Sequence, residues 1–105
     1  MIMWAQLITT QIKPGREGEL RKLAEMLRAT EQPGSGLVRS TMLQDQKDPS
    51  RLYMFVVFES EERARAREND PRRQEGQAKA PELMAEVFDG APEFVDLTVV
   101  EEVAP

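Results

Sequence analysis

Three kinds of side chain stand out by type and place: one indole, Trp4; one phenol, Tyr53; and two adjacent guanidinium groups, Arg72 and Arg73, directly after Pro71. An indole ring can line a pocket wall and stack on a planar molecule, or fill a core beneath helices. A phenol hydroxyl can hydrogen-bond a substrate phenol or carbonyl, or simply cap an amphipathic position at a sheet edge or dimer seam. Cations at a helix start oppose the helix dipole, so helix propensity does not account for Arg72 and Arg73. Either one of them stabilises a bound phenolate or carboxylate, or they pair with Asp70 and Glu75. The chain has no Cys and no His. Disulfides, thiolate metal sites and Cys nucleophiles are excluded, and the commonest general base and haem ligand are missing. Chemistry here rests on carboxylates, Arg, Lys, Tyr53, Trp4, amides or backbone groups.

The elements that must position these groups belong to one domain. The chain has 105 residues, 40% hydrophobic and 31% charged, which suits a single globular core. Net charge is −5 and unevenly placed: residues 80–105 hold seven acids and no Lys or Arg. Such a chain is a poor nucleic-acid binder, since phosphates need clustered bases. No apolar run reaches the roughly 18 residues of a membrane span. The start of the chain reads as structural rather than as a signal peptide, and the expected compartment is the cytoplasm. Asp45 and Asp48 read as turn caps rather than as metal ligands.

Met1 to Ile12, rich in β-branched and aromatic residues, reads as a first strand ending at Lys13-Pro14-Gly15. Alternation puts Trp4, Gln6, Ile8, Thr10 and Ile12 on one face. Leu20, Leu23, Ala24 and Leu27 recur at helical spacing within Gly15 to Ala29. Leu37 to Gln44 and Arg51 to Glu59 read as a strand hairpin. Ser60 caps a helical stretch from Glu61 to Glu68 that is nearly devoid of large apolar groups. Pro71 starts a helix running toward Phe88, kinked or restarted at Pro81. Phe94 to Val103 reads as a fourth strand.

The order is βαββαβ, the ferredoxin-like arrangement of the α+β class: a four-stranded antiparallel sheet with two helices on one face. Leu52 to Phe58 is continuously apolar, so both faces of that strand need cover. Helices supply it on one side. A second copy of the sheet is the simplest cover on the other, giving a homodimer; a ligand or another protein is the alternative.

Four segments carry a resemblance over nearly the whole chain. They are Ile12-Lys13-Pro14-Gly15 before the first helix, Gln32-Pro33-Gly34 before the second strand, Asp48-Pro49-Ser50-Arg51 in the hairpin, and Phe58-Glu59-Ser60-Glu61-Glu62 at the third strand's end. In order and spacing the chain resembles the antibiotic biosynthesis monooxygenase (ABM) domain family of the dimeric α/β-barrel superfamily. The resemblance implies a dimeric α/β barrel. It also implies a cofactor-independent monooxygenase, with no metal or flavin, oxidising a small planar aromatic such as a phenol or anthrone with O₂. The alternative is a non-catalytic small-molecule binding or sensing module on the same fold. On the catalytic reading Arg72 or Arg73 holds the substrate anion, and Tyr53 or Gln6 orients it. Trp4, Phe58, Arg73 and Gln77 line the pocket for a small hydrophobic or aromatic ligand. The haem-degrading branch of the family uses a His on the second helix and an Asn on the first strand; Gln77 and Gln6 stand nearest those places. Many members carry Trp where Phe58 stands and His near Arg72. With no His at all, haem degradation is not expected.

Overall fold

The computed structural model describes residues 2–78 and 80–105; Met1, expected in the first strand, and Lys79, expected within the second helix, lie outside the described residues. Strand β1 spans Trp4–Gln11, β2 Leu37–Gln44, β3 Arg51–Phe58 and β4 Glu93–Thr98. They form one antiparallel sheet in the order β2-β3-β1-β4. The fold is the ferredoxin-like α+β arrangement that the element order predicts.

A 3₁₀ turn at Glu17–Glu19 leads into helix α1, Leu20–Ala29. The second helical region comes in three pieces, with a restart rather than a kink at Pro81: α2 Glu61–Glu68, α3 Pro71–Gly76 and α4 Ala80–Val87. The breaks have local causes. The Ser60 hydroxyl accepts the Arg63 N–H to start α2. Asp70 caps α3 by accepting the Arg72 N–H at 2.9 Å, with Pro71 in the first position, where its missing N–H costs nothing. Pro81 likewise falls in the first turn of α4 and restarts a helix instead of kinking one. Strand β4 ends at Thr98, so the expected run to Val103 is not extended into the sheet. The hairpin turn is held by Asp45, which accepts the backbone N–H groups of Lys47 and Asp48, and by Asp48, which accepts that of Ser50.

Register fixes which side chains share a face. Trp4 lies opposite Phe58 and Thr98, Gln6 opposite Val56 and Asp96, Ile8 opposite Met54 and Phe94, and Thr10 opposite Leu52. This face takes the helices. Ala64 of α2 packs with Trp4, Val56 and Phe58; Val87 of α4 packs with Ile12 and Leu52, with Leu20 of α1 and Leu83 of α4 beside them. The other face carries Ala5, Leu7 and Thr9, then Tyr53, Phe55 and Val57, then Val95 and Leu97. No helix covers it. After Thr98 the Val99 N–H bonds to the Met3 carbonyl at 3.1 Å, and Glu102 then pairs with Arg39 on β2, the opposite edge of the sheet. The tail therefore crosses one end of this open face. Ala5 and Val57 lie under that crossing and are only 1% and 2% exposed.

Candidate functional site

The helix side of the sheet brings together four chemically able side chains. Trp4 and Phe58 are neighbours on β1 and β3, with ring centroids 5.9 Å apart and tilted by 40°. Both are buried, Trp4 at 7% and Phe58 at 4% exposure. Helix α2 crosses above them with small Ala64 pressed onto the pair, which lets its flanking arginines reach down on either side. The Arg65 guanidinium lies over the Trp4 ring, 4.9 Å from its centroid. Arg65 also reaches the Asp96 carboxylate on β4 at 3.3 Å. One rung along from Trp4, the Gln6 side-chain N–H donates to the other Asp96 oxygen at 2.9 Å. Indole, guanidinium, carboxylate and amide thus form one connected row. The next rung is apolar: Ile8 is half-buried and Phe94 is 57% exposed, with no helix over it.

Arg65 has three carboxylate partners: Asp96, and Glu61 and Glu68 of its own helix at 3.4 Å each. Desolvation draws its pKa down, but the charges of Glu68, Asp96 and Glu61 outweigh this and hold it raised. The group is a permanent cation in a surplus of negative charge.

A second cluster lies on the far side of α2. Arg67 is over the Phe58 ring at 5.4 Å and grips Glu31 in a two-pronged pair, with Nη2 to Oε1 at 2.6 Å and Nε to Oε2 at 3.0 Å. Burial pushes the Glu31 carboxyl up, yet hydrogen bonds from Arg67 and Ser35 and the Arg67 charge prevail and leave it below its usual range. Arg73 comes in from α3 with its Nε buried and unpartnered. Burial first, and Arg67 second, lower its pKa against the pull of Glu31 and Glu68. Gln77 donates to the Thr30 hydroxyl at 2.9 Å.

The residues singled out by sequence therefore separate into groups. Trp4, Phe58 and Gln6 converge on the helix side of the sheet. Arg73 and Gln77 join the cluster around Glu31 and Thr30. Arg72 is 64% exposed in its side chain and clamps Asp70, the cap of its own helix, at 2.9 Å. That clamp lowers the Asp70 pKa, through the side-chain hydrogen bond first. Tyr53 is on the open face, opposite Thr9 and Leu43. Tyr53, Arg72 and Gln6 accordingly do not converge on one pocket: strand alternation sends residue 53 of β3 and residue 6 of β1 to opposite faces, and capping holds Arg72 at the outer end of α3. Asp96 and Arg65 are the partners that sequence reasoning missed. Asp96 read as one acid of an acidic tail, and only the β1–β4 register places it beside Gln6.

Two small open hollows mark the surface. One, of about 120 Å³, is lined by Arg63, Arg67, Asp70, Arg72 and the Gly34-Ser35 loop; the other, of about 170 Å³, by Thr9 to Gln11, Arg51, Asp89, Ala91 and Glu93. Both fall short of the roughly 300 Å³ at which small-molecule pockets begin, and neither touches Trp4 or Gln6. Every guanidinium in the first hollow has a partner: Arg63 donates to the Gly34 carbonyl, Arg67 to Glu31 and Arg72 to Asp70. Among the described residues no group of three or more acidic side chains is arranged to hold a metal ion. Nor is any helix among them long and apolar enough to cross a membrane.

Comparison with known proteins agrees with this architecture. The family model described as antibiotic biosynthesis monooxygenase matches residues 3–79. No curated protein matches the chain. Among solved structures, SnoaB from Streptomyces nogalater, described as a cofactor-independent oxygenase, superposes with a TM-score of 0.75 at 17% identity, covering 98% of each chain. A protein of unknown function from Nitrosomonas europaea gives 0.73 at 21% identity, covering 100% of this chain and 96% of its own. A conserved protein from Methanosarcina mazei Go1 gives 0.74 at 20% identity, covering 92% of both chains. At these identities the likeness is one of fold.

Proposed function

The chain belongs to the antibiotic biosynthesis monooxygenase family, and from that premise we propose that it is a cofactor-independent oxygenase acting on a small planar aromatic with O₂. One observation carries this reading: the connected row of Trp4, Arg65, Asp96 and Gln6 beside the half-open Ile8–Phe94 rung. The apolar rung offers a floor for one ring, and same-face rungs are about 6.6 Å apart, so a ring on Ile8 and Phe94 reaches the polar rung with a substituent. The protein supplies orientation and a polar edge rather than redox groups. The substrate anion gives one electron to O₂, the two radicals combine into a peroxide anion at a carbon that bears hydrogen, and once that anion takes up a proton, loss of water with the carbon's hydrogen leaves the carbonyl of a quinone. The functional unit is a homodimer built on the open face, with the helix-side sites on its outer flanks.

Oxygen uptake tests the reaction. Wild-type protein is incubated with a panel of phenols, naphthols and anthrones, with an oxygen electrode and product absorbance read together. Uptake with stoichiometric quinone is expected. Ligand-induced thermal stabilisation without oxygen uptake anywhere in the panel would replace catalysis by small-molecule binding.

A further inference from the structure

We propose that Asp96 is the residue that selects the substrate's charge state: with Gln6 and Arg65 it accepts a neutral hydroxyl-bearing aromatic and takes its proton in place. The inference rests on the oxygenase reading above and adds to it the substrate class and the proton acceptor. It concerns this chain's own β4, which lies outside the residues 3–79 that match the family model.

Among strand positions on the helix side of the sheet, register leaves one ionisable group. β1 offers Trp4, Gln6, Ile8 and Thr10; β3 offers Leu52, Met54, Val56 and Phe58; β4 offers Phe94, Asp96 and Thr98. On β2, Ser40, Met42 and Gln44 oppose Val56, Met54 and Leu52. Asp96 alone is charged, and it adjoins the half-open Ile8–Phe94 rung. Gln6 holds one of its oxygens at 2.9 Å and Arg65 the other at 3.3 Å, which fixes the carboxylate while each oxygen keeps a free lone pair. A hydroxyl on a ring lying over Ile8 and Phe94 meets that lone pair.

Charge decides which ring enters. Arg65 is one guanidinium facing Asp96, Glu61 and Glu68, so the row carries a surplus of two negative charges among the described residues. These carboxylates are half-exposed, so water sets the dielectric: two net charges at about 6 Å disfavour an incoming anion by roughly tenfold before screening by salt. The substrate therefore arrives neutral. Ionisation then follows inside: the substrate O–H bond breaks, its proton goes to an Asp96 oxygen, and the electron pair stays on the substrate oxygen. The total charge of the row is unchanged by that transfer, and Arg65 can turn from the neutralised Asp96 to the new oxyanion. This supplies the base that a chain without His otherwise lacks. It also reverses the sequence-based expectation that Arg72 or Arg73 captures a substrate already ionised.

The test uses the single Trp, since Trp4 lies under Arg65 and reports ligands by fluorescence. The probes are 2-naphthol and 2-naphthoate, one ring system with a neutral or an anionic substituent at pH 7. Wild type is expected to bind the naphthol at least about tenfold more tightly. Asp96→Asn should bring the two affinities within about threefold, and Asp96→Glu should keep the preference. Circular dichroism checks that both variants fold. Equal binding by wild type, or an unchanged preference in Asp96→Asn, overturns the proposal; should Asp96→Asn not fold, Arg65→Gln must strengthen the naphthol preference, and no change there overturns it. Oxygen uptake is the second arm. If wild type turns over, Asp96→Asn should lose about 100-fold with a weakly acidic naphthol and far less with a nitrophenol already ionised at the assay pH. Equal loss with both refutes the proton-acceptor role. If wild type binds as expected but consumes no oxygen, the oxygenase reading fails while the selection by Asp96 stands.

Discussion

Thr10 shows how a single atom can work against the fold. Its hydroxyl oxygen is buried on the helix side of β1 with no hydrogen-bond partner. A lone buried hydroxyl costs about 1–3 kcal/mol relative to a satisfied one. Thr10→Val keeps the shape and removes the orphan, and should stabilise the protein by about 1 kcal/mol, a rise in Tm of about 4 °C or more for a domain this size. Thermal and urea unfolding read this directly; a loss of stability would mean that the hydroxyl has a partner in solution. Glu31 makes the opposite case, a charged group well paired. Its folded-state pKa lies below the unfolded value, the bonds and charge of Arg67 and the Ser35 bond outweighing burial. The stabilisation from Glu31 is therefore complete above about pH 4.3, where the unfolded chain's Glu is ionised, and is lost as pH falls through the lower folded value. Glu31→Gln should be less stable than wild type at pH 7, and the gap should close as pH falls below about 4. A gap constant over that range would show that packing, not charge, is what Glu31 contributes.

At the scale of elements, the loop entering β2 locks α2 in place through one glycine. Gly36 has φ +87°, and its carbonyl accepts the Glu59 N–H at 2.9 Å. A Cβ there would lie 2.6 Å from the Arg63 Cβ, whereas one on Gly34, at φ +75°, would meet nothing within 4 Å. Gly34→Ala should cost about 1 kcal/mol of backbone strain, and Gly36→Ala about 2–3 kcal/mol more, because the helix itself must move. Denaturant midpoints of the two variants compare them; equal losses would show that α2 is not fixed at this point. The elements also show how far sequence reaches. The alternation of Trp4, Ile8 and Ile12 and the spacing of Leu20 and Leu23 made β1 and α1 legible, because hydrophobic period follows burial directly. The break of the second helix at Pro71 was legible, and Pro81 marked a kink or a restart without deciding between them; the structure has the restart, with α4 beginning at Ala80. Val99 to Val103 has strand propensity, yet after the single bond from the Val99 N–H to the Met3 carbonyl the chain leaves the sheet, since strand β1 begins only at Trp4. For the site, alternation alone put Gln6 with Trp4. Asp96 needed the pairing register of two strands 90 residues apart, and Arg65 needed the path of α2, neither of which a local pattern encodes.

For the molecule as a whole, the open sheet face is the surface on which the proposed dimer rests. Leu43, Val95 and Leu97 are 47%, 48% and 36% exposed there, and Leu7, Tyr53 and Phe55 lie between them half-covered. A contiguous apolar patch of this kind is more than a monomer ordinarily presents to water. The end of the face crossed by the tail is already closed by the chain itself, but Val100 and Val103 on that tail are 95% and 83% exposed and continue the apolar surface outward. Two copies placed face to face bury the patch and both valines by the same contact, since a two-fold interface presents each surface to its own copy. Tyr53 lies on this open face, away from Trp4 and Gln6, and in a face-to-face dimer it would stand at the seam between the sheets. Sedimentation at micromolar concentration should therefore give about twice the chain mass of 11.9 kDa. Phe55→Asp sets two like charges against each other across the two-fold and should shift the protein to monomer, whereas Arg72→Ala, far from that face, should leave it dimeric. Removing residues 100–105 should weaken the dimer without abolishing it, because the central patch survives. A wild-type monomer at these concentrations, or a dimer indifferent to Phe55→Asp, would place the contact elsewhere and leave the apolar face to a different partner.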